Sequence, residues 1–192
     1  MTNASATKDF VCRPLERDEW QSFKAIRLEA LQKEPGVFGG ILDIEKNQPQ
    51  DYWEDWVHSG KTRCFGLFHG DAMIGCTGIV TDRTDATGTT ALLIASYIQE
   101  AHRGRGLSGL LYKARLAYAA NHPDWTRVIV SHRRSNEQSR RANQNHGFVH
   151  THDEPKTWPD GMTEDNVFYT LDITDRKTRP HPAVAIKKTL TT

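Results

Sequence analysis

The sequence predicts an α/β protein, with a mixed β-sheet of the α+β kind, in a single domain. Apolar residues recur with strand-like and helix-like spacing in the order β-α-α-β-β-β-α-β-α-β-β, and no repeat or low-complexity segment interrupts this order. Three successive strands linked by turns favour a mixed sheet over a doubly wound parallel one. The chain of 192 residues is long enough for one hydrophobic core and hardly for two.

The first predicted elements are a strand and two helices. Residues 10–15 read as a short strand. Residues 18–33 carry apolar side chains at helical spacing, and Pro35 ends that helix. Pro49 begins a second helix over about residues 51–58, whose aromatic side chains we expect to lie in the core.

Three strands are predicted next. Residues 64–69 and 72–81 are joined by the dipeptide Gly70-Asp71, which is typical of a hairpin turn. A segment rich in turn residues then leads to a third strand over residues 89–98. These three strands form a meander.

The remaining elements alternate between helices and strands. A glycine-rich loop opens a helix whose apolar side chains form one stripe, made of Leu107, Leu110, Leu111, Ala114 and Tyr118. A buried strand at residues 128–130 and a polar helix at residues 136–145 follow. Strands at residues 148–152 and 166–173 complete the sheet.

The predicted elements define one domain, over residues 9–173. Residues 1–8 are small and polar, and we expect them to form a disordered N-terminus. Residues 174–192 hold five basic residues and one acidic residue, so they form a basic C-terminal tail whose role the sequence leaves open.

The formal net charge of +1 conceals a basic segment in an otherwise acidic body. Residues 101–141 hold nine Lys or Arg and two Asp or Glu, a net charge of +7, whereas residues 1–100 carry a net charge of −5. The basic segment contains the glycine-rich loop, so we expect it to attract an anion. It has no recognised nucleic-acid motif, and we expect no nucleic-acid partner.

Several classes of protein and site are excluded by the composition. No apolar stretch approaches the roughly 18 residues of a membrane helix, and the N-terminal segment lacks the basic and apolar parts of a signal peptide. We therefore expect a cytoplasmic protein without membrane contact. Cys12, Cys64 and Cys76 lack a C-x-x-C spacing and read as buried thiols. Six of the nine histidines lie between residues 102 and 152, but their spacing indicates no metal site.

The glycine-rich loop contains a literal G-x-G-x-x-G, formed by Gly104, Gly106 and Gly109. After a strand and before a helix, this pattern is typical of phosphate binding, because glycine and the free N–H groups of the first helical turn let an anion approach the backbone. A dinucleotide-binding turn is one interpretation. The five residues between strand and first glycine, the preceding meander and the short remaining chain all argue against it.

A family resemblance gives the second interpretation. Arg103, Gly106 and Ser108 resemble the acyl-CoA signature of the GNAT superfamily of N-acetyltransferases, Gln/Arg-x-x-Gly-x-Gly/Ala, with Ser108 where Gly or Ala is usual. Downstream, Asn136 and the pair Gly147-Phe148 resemble the family's second motif, an Asn before a helix that ends in Gly-Phe. The resemblance covers about residues 10–173 and implies the GNAT-type acyl-CoA N-acyltransferase fold.

The resemblance implies direct transfer of an acetyl group from acetyl-CoA to a primary amine of a small molecule or a peptide N-terminus. It implies that the backbone around the glycine loop, the preceding strand and one Asn side chain bind the cofactor: Ser96, Tyr97, Ile98, Arg103, Gly104, Arg105, Gly106, Leu107, Ser108, Gly109 and Asn136. The acidic segments favour a cationic acceptor. We expect a monomer or a homodimer, with no metal.

The catalytic residues do not follow from the resemblance. Many members carry a tyrosine as general acid seven residues after the Asn, where this chain has Asn143. Some carry a Glu five residues before the Asn, where this chain has Ser131. Candidate replacements are Tyr97, Tyr112 and Ser131 itself. These departures leave open an alternative function, a catalytically silent acyl-CoA-binding regulatory protein on the same fold.

Overall fold

The structure is a computed structural model that describes residues 10–178 and 186–188. Its strands and helices, in chain order, are β1 (Phe10–Pro14), α1 (Trp20–Lys33), α2 (Leu42–Glu45), α3 (Gln50–Val57), β2 (Thr62–His69), β3 (Ala72–Thr81), β4 (Thr90–Ile98), α4 (Ser108–Asn121), β5 (Arg127–Arg133), α5 (Glu137–Asn145), β6 (Val149–Thr157), β7 (Thr163–Asp172) and β8 (Ile186–Lys188). The predicted α/β class with a mixed sheet is confirmed. The short helix α2 and the strand β8 add to the predicted order.

The strands form one sheet in the order β6-β7-β5-β4-β3-β2-β1-β8. The β4–β5 pairing is parallel and the other pairings are antiparallel. The parallel ladder runs only from Thr90↔Arg127 to Leu92↔Ile129, so the two central strands diverge beyond it. This divergence opens the middle of the sheet. A largely antiparallel sheet also rules out the dinucleotide-binding fold.

A bulge marks the diverging end of β4. The register between β3 and β4 shifts between Cys76 and Gly78, and the opposing Ala95 has a φ of 55°. Such a backbone conformation is costly for a residue with a Cβ and persists only where the surrounding structure holds it. The bulge lies three residues beyond Leu92, the last residue of β4 that pairs with β5.

The sheet is covered on both faces. One face packs against α4 in a core that includes Leu107, Leu111 and Val130. The opposite face packs against α1 and α3 in a core that includes Phe23 and Trp53. Burial raises the pKa of the thiols of Cys12 and Cys76 to about 12, as expected for the buried free cysteines that the sequence predicts.

The chain beyond the predicted last strand contributes a strand to the sheet. β8 pairs antiparallel with β1, with Phe10 opposite Lys188. Three residues are too few to show a hydrophobic period, so the sequence indicated no strand in this basic tail. The predicted disordered segment, residues 1–8, lies outside the described residues. The proposed domain limits stay a prediction.

Residues 10–178 and 186–188 contain neither a membrane-spanning helix nor a metal-ligand cluster. No helix within them is long and apolar enough to cross a membrane. Three or more metal-ligating side chains do not come together anywhere in those ranges.

Candidate functional site

A cavity of about 580 Å³ lies beside the diverging end of β4, and we call it the first cavity. It is bounded by β4, the glycine loop, the start of α4 and the beginning of α5. The predicted cofactor residues that line it are Ser96, Tyr97, Ile98, Arg103, Gly104, Gly106, Leu107, Ser108 and Asn136. Arg105 and Gly109, also predicted, are not among its lining residues.

The glycine loop has the geometry of an anion site. Gly104 and Gly106 have φ values of 76° and 67°, which side chains other than glycine rarely adopt. Gly109 lies in the first turn of α4 without a positive φ, so it completes the sequence pattern but not the loop conformation. That first turn has no acidic residue and no side-chain cap. The N–H of Leu110 donates to the carbonyl oxygen of Leu107 over 3.0 Å, so the N–H groups of Ser108 and Gly109 are the ones that remain for an anion within the described residues.

A lysine from β8 adds positive charge to this loop. The Nζ atom of Lys188 donates a hydrogen bond to the backbone oxygen of Arg105, over 2.6 Å. A Cβ on Gly106 would lie 2.9 Å from the same Nζ, so the ammonium lies directly against the loop. Sequence reasoning missed Lys188, because more than eighty residues separate it from the loop and only the β1–β8 pairing brings them together.

The predicted loop arginines have other partners. Arg103 donates to the carbonyl oxygen of Ile98 over 2.8 Å and pairs with Glu34 over 2.6 Å. Arg105 is exposed, and its guanidinium reaches back to the carbonyl oxygen of Ala101 over 3.4 Å. The side chain of Arg103 therefore ties the loop to the end of α1 and is not free to meet a phosphate.

Other cations of the basic segment are also neutralised by carboxylates. Arg133 pairs with Asp160 and Glu164, each over 2.5 Å, and Arg140 pairs with Glu137 over 2.5 Å. The local net charge of +7 is therefore largely offset by acidic residues in the fold. The basic segment forms a framework of ion pairs, with the glycine loop at its edge.

Tyr112, one of the candidate catalytic residues, lines the first cavity from α4. Its hydroxyl donates to Oδ1 of Asn143 over 2.5 Å, and its ring stacks on His146 at a centroid distance of 4.0 Å. Burial raises the pKa of Tyr112. Asn143, at the position where the GNAT resemblance implies a tyrosine, thus accepts a hydrogen bond from a tyrosine hydroxyl on a different helix.

A buried cation supports the same wall. Arg115 on α4 is 1% exposed, donates to Oγ of Ser96 over 2.8 Å, and lies 4.8 Å from the centre of the Tyr112 ring. Burial lowers the pKa of its guanidinium. Sequence reasoning missed Arg115, although an arginine four residues after Leu111, in the apolar stripe of a helix, was a detectable signal.

Tyr97 and Asn136 use their polar atoms within the protein. The hydroxyl of Tyr97 donates to Glu29 over 2.9 Å, and burial, aided by this carboxylate, raises the pKa of Tyr97 to about 12. Asn136 caps α5, its Oδ1 accepting from the backbone N–H of Ser139 over 3.0 Å. This cap leaves the NH₂ group of Asn136 as the end that can donate to a ligand.

A second cavity, of about 390 Å³, lies on the face covered by α1. It takes residues from the α1–α2 loop and from β4, β5, β6 and β7, and Ser131 is among them. Val37 and Phe38 line both cavities. The two cavities therefore adjoin at these residues, beside the gap between β4 and β5.

A buried ion pair borders the second cavity. Arg27 binds Glu45 through two hydrogen bonds, of 2.6 and 2.9 Å, and both residues are buried. The guanidinium of Arg27 also lies 5.3 Å from the ring centre of Phe38 and 5.2 Å from that of Trp56. Gly40 covers the pair so closely that a Cβ there would lie 1.9 Å from Oε1 of Glu45. The only carboxylate lining this cavity, within the part of the chain described, is thus neutralised in place.

A family model described as "Acetyltransferase (GNAT) family" matches residues 20–148. The sequence matches no curated protein significantly.

Solved acetyltransferase structures share the fold. A GNAT-family acetyltransferase from Streptococcus pneumoniae superposes with a TM-score of 0.72 at 16% identity, covering 85% of this chain and 98% of that one. The protein yncA from Salmonella typhimurium, solved with its cofactor acetyl-CoA, has a TM-score of 0.70 at 18% identity and coverages of 90% and 98%. Spermidine N-acetyltransferase from Vibrio cholerae, solved with CoA and spermine, has a TM-score of 0.68 at 13% identity and coverages of 88% and 98%.

Proposed function

Because the chain belongs to the GNAT family of acetyltransferases, we propose that it transfers an acetyl group directly from acetyl-CoA to a primary amine, on a small molecule or a peptide N-terminus. One observation carries this proposal. The first cavity, with its anion-binding loop, and the second cavity adjoin at Val37 and Phe38, next to the gap between the central strands. A cofactor in one and an amine in the other would meet at that gap.

The first cavity fits acetyl-CoA. The pyrophosphate would lie on the backbone from Gly104 to Gly109, where two glycines with positive φ, an uncapped helix terminus and the ammonium of Lys188 come together. Pantetheine would follow the backbone from Ser96 to Ile98, and the NH₂ group of Asn136 would donate to its amide oxygens. Two of the similar structures contain CoA or acetyl-CoA, which supports the same ligand here.

The chain has to polarise a thioester carbonyl and stabilise a departing thiolate. The bound thioester supplies the electrophile: the amine nitrogen bonds to its carbonyl carbon, the C–S bond breaks, the amine loses a proton and the sulfur gains one. The β4–β5 ladder ends at Leu92, so backbone N–H groups later in β4 are not used by β5 and can donate to the carbonyl oxygen.

Tyr112 is the best placed of the three candidate catalytic residues. It lines the first cavity, and its ring is held by His146 and its hydroxyl by Asn143. Because burial raises its pKa, Tyr112 stays neutral, and its one hydroxyl proton would turn from Oδ1 of Asn143 to the thiolate to stabilise it as a hydrogen-bond donor. The hydroxyl of Tyr97 donates to the carboxylate of Glu29, a stronger acceptor than the amide oxygen of Asn143, so its proton is held more firmly. Ser131 lines the second cavity and would contact the amine.

The test follows thiol release from acetyl-CoA by the full chain with a broad panel of primary amines. We expect amine-dependent release of free thiol, together with a rise in melting temperature on addition of CoA. Stabilisation by CoA without turnover of any amine would instead establish the catalytically silent acyl-CoA binder. A protein that CoA does not stabilise would contradict both functions.

A further inference from the structure

We propose that the acceptor is a small amine that also carries a carboxylate, as an amino acid does, and that Lys156 and Asn166 recognise its two ends. The proposal rests on the proposed acetyltransfer and names the class of acceptor for the second cavity. Three observations within residues 10–178 and 186–188 support it: an ammonium without an ion-pair partner, a buried amide oxygen without a donor, and the spacing of these two groups on the sheet.

The ammonium belongs to Lys156 on β6. Its Nζ lies 4.3 Å from the ring centre of Trp158 and 3.4 Å from where a Cβ of Gly39 would stand, so it lies between an aromatic wall and the α1–α2 loop. Glu164 is directly opposite Lys156 in the β6–β7 register, but its carboxylate binds Arg133 and Ser135. Among the described residues Lys156 has no ion-pair partner, and it lines the second cavity.

The amide oxygen belongs to Asn166 on β7. Asn166 is 9% exposed and lines the second cavity, and its Oδ1 receives no hydrogen bond within the described part of the chain. A buried carbonyl oxygen without a donor is costly, and rotation of the Asn166 amide to turn this oxygen towards the second cavity would let an amine N–H satisfy it. Asn166 is opposite Arg133 in the β5–β7 register and therefore shares a sheet face with Ser131.

The spacing of the Lys156 ammonium and the Asn166 amide oxygen suits a molecule that carries both a carboxylate and an amine. Asn166 pairs with Glu154 and Lys156 pairs with Glu164, so Lys156 and Asn166 are diagonal neighbours on one face. Such neighbours have Cα atoms about 7–8 Å apart. The side chains can converge from there on the carboxylate and the nitrogen of one small acceptor.

The other residues that line the second cavity indicate what side group and what net charge the acceptor carries. Phe38, Trp56 and Trp158 surround the cavity with aromatic rings, which suit an apolar side group. Because Glu45 is neutralised by Arg27, Lys156 leaves the lining with a net positive charge within the described residues. That charge opposes a polyamine and favours an anionic group beside the reacting nitrogen, in contrast to the cationic acceptor that the acidic segments of the sequence favoured.

The experiment compares acetylation of hydrophobic amino acids with that of two matched series, the same amino acids as amides and the corresponding decarboxylated amines. We expect kcat/KM for the amino acid to exceed that for each matched compound by about tenfold or more, the effect of losing one charge-assisted hydrogen bond. Equal or better acetylation of the amides or decarboxylated amines would overturn the amino-acid assignment and leave the proposed acetyltransfer intact.

A lysine variant identifies the residue involved. Lys156→Gln should raise KM for the amino acid about tenfold and leave KM for the matched amide unchanged, whereas Lys61→Gln, at an exposed lysine outside both cavities, should change neither. Calorimetric titration of the amino acid into CoA-loaded protein should show the same difference in affinity without turnover. An equal rise in KM for the amino acid and for its amide would show that Lys156 only supports the wall of the second cavity and does not bind the carboxylate. Turnover of no amine would overturn this proposal together with the acetyltransfer.

Discussion

The two cavities are built in different ways. In the first, the loop that we propose as the anion site consists of consecutive residues, Gly104 to Gly109, and would bind through backbone groups. The second is assembled from side chains of α1, the α1–α2 loop and four strands, such as Arg27, Lys156 and Asn166. A site made of backbone groups from one short segment suits a ligand that many proteins bind in common. A site made of side chains from distant segments can differ from one protein to the next. Substitutions can therefore test the role of each cavity separately.

The largest effect should come from the loop of the first cavity. Gly106→Asp places a carboxylate at the anion site, in a backbone conformation with φ of 67° and with its Cβ 2.9 Å from Nζ of Lys188. We expect CoA affinity to fall by about a hundredfold or more, measured by calorimetry on a variant with an unchanged circular dichroism spectrum. Gly88→Asp is the control, because Gly88 has a φ of 69°, a Cβ there would meet nothing within 4 Å, and the residue lines neither cavity. Unchanged affinity of folded Gly106→Asp would remove the anion site from this loop.

The next effect should be confined to the second cavity. Gly40→Ala puts a methyl group 1.9 Å from Oε1 of Glu45 and 2.4 Å from Nη2 of Arg27, so the buried ion pair has to move. We expect KM for the acceptor to rise about tenfold and unfolding free energy to fall by about 1–3 kcal/mol, with CoA affinity unchanged. Gly60→Ala, where a Cβ meets nothing within 4 Å, is the matched control. A parallel loss of CoA affinity would show that the two cavities are not independent.

A substitution in the wall of the first cavity should affect turnover. Tyr112→Phe removes the hydroxyl proposed to stabilise the thiolate, and we expect kcat to fall about tenfold or more while CoA affinity stays the same. It also leaves Oδ1 of Asn143 buried without its donor, so stability should fall by about 1–3 kcal/mol. Tyr118→Phe on the same helix is the comparison. An unchanged kcat, with stability lowered as expected, would restrict Tyr112 to packing.

The smallest effect should come from β8. Lys188→Gln removes an ammonium that is partly exposed, and we expect CoA affinity to fall about fivefold, or about 1 kcal/mol, with a smaller loss at high salt. Lys187→Gln, at the exposed neighbouring position, should have little effect. Equal effects of the two variants would indicate a general influence of charge instead of a contact with the loop.

The order of elements and the first cavity could be predicted because their signals are local. Hydrophobic period defines helices and strands, and the conformation of the glycine loop depends on Gly104 and Gly106 themselves. Hydrophobic period did not show the full length of β6, since nearly all its residues are exposed and the strand exists through its pairing with β7. The net charge summed over residues 101–141 also overestimated the positive charge available to a ligand, because Arg133 and Arg140 form ion pairs with carboxylates in the fold.

By itself, the sequence determined the fold class, the family resemblance and the loop that we propose for acetyl-CoA. Those properties depend on periodicity and on backbone conformation, which neighbouring residues control. Only the tertiary structure decided that Lys188 lies against the loop, that Asn143 holds Tyr112, and that Lys156 and Asn166 share a face. Each of these depends on strand register or helix packing between distant segments, and a linear pattern carries no record of such pairings.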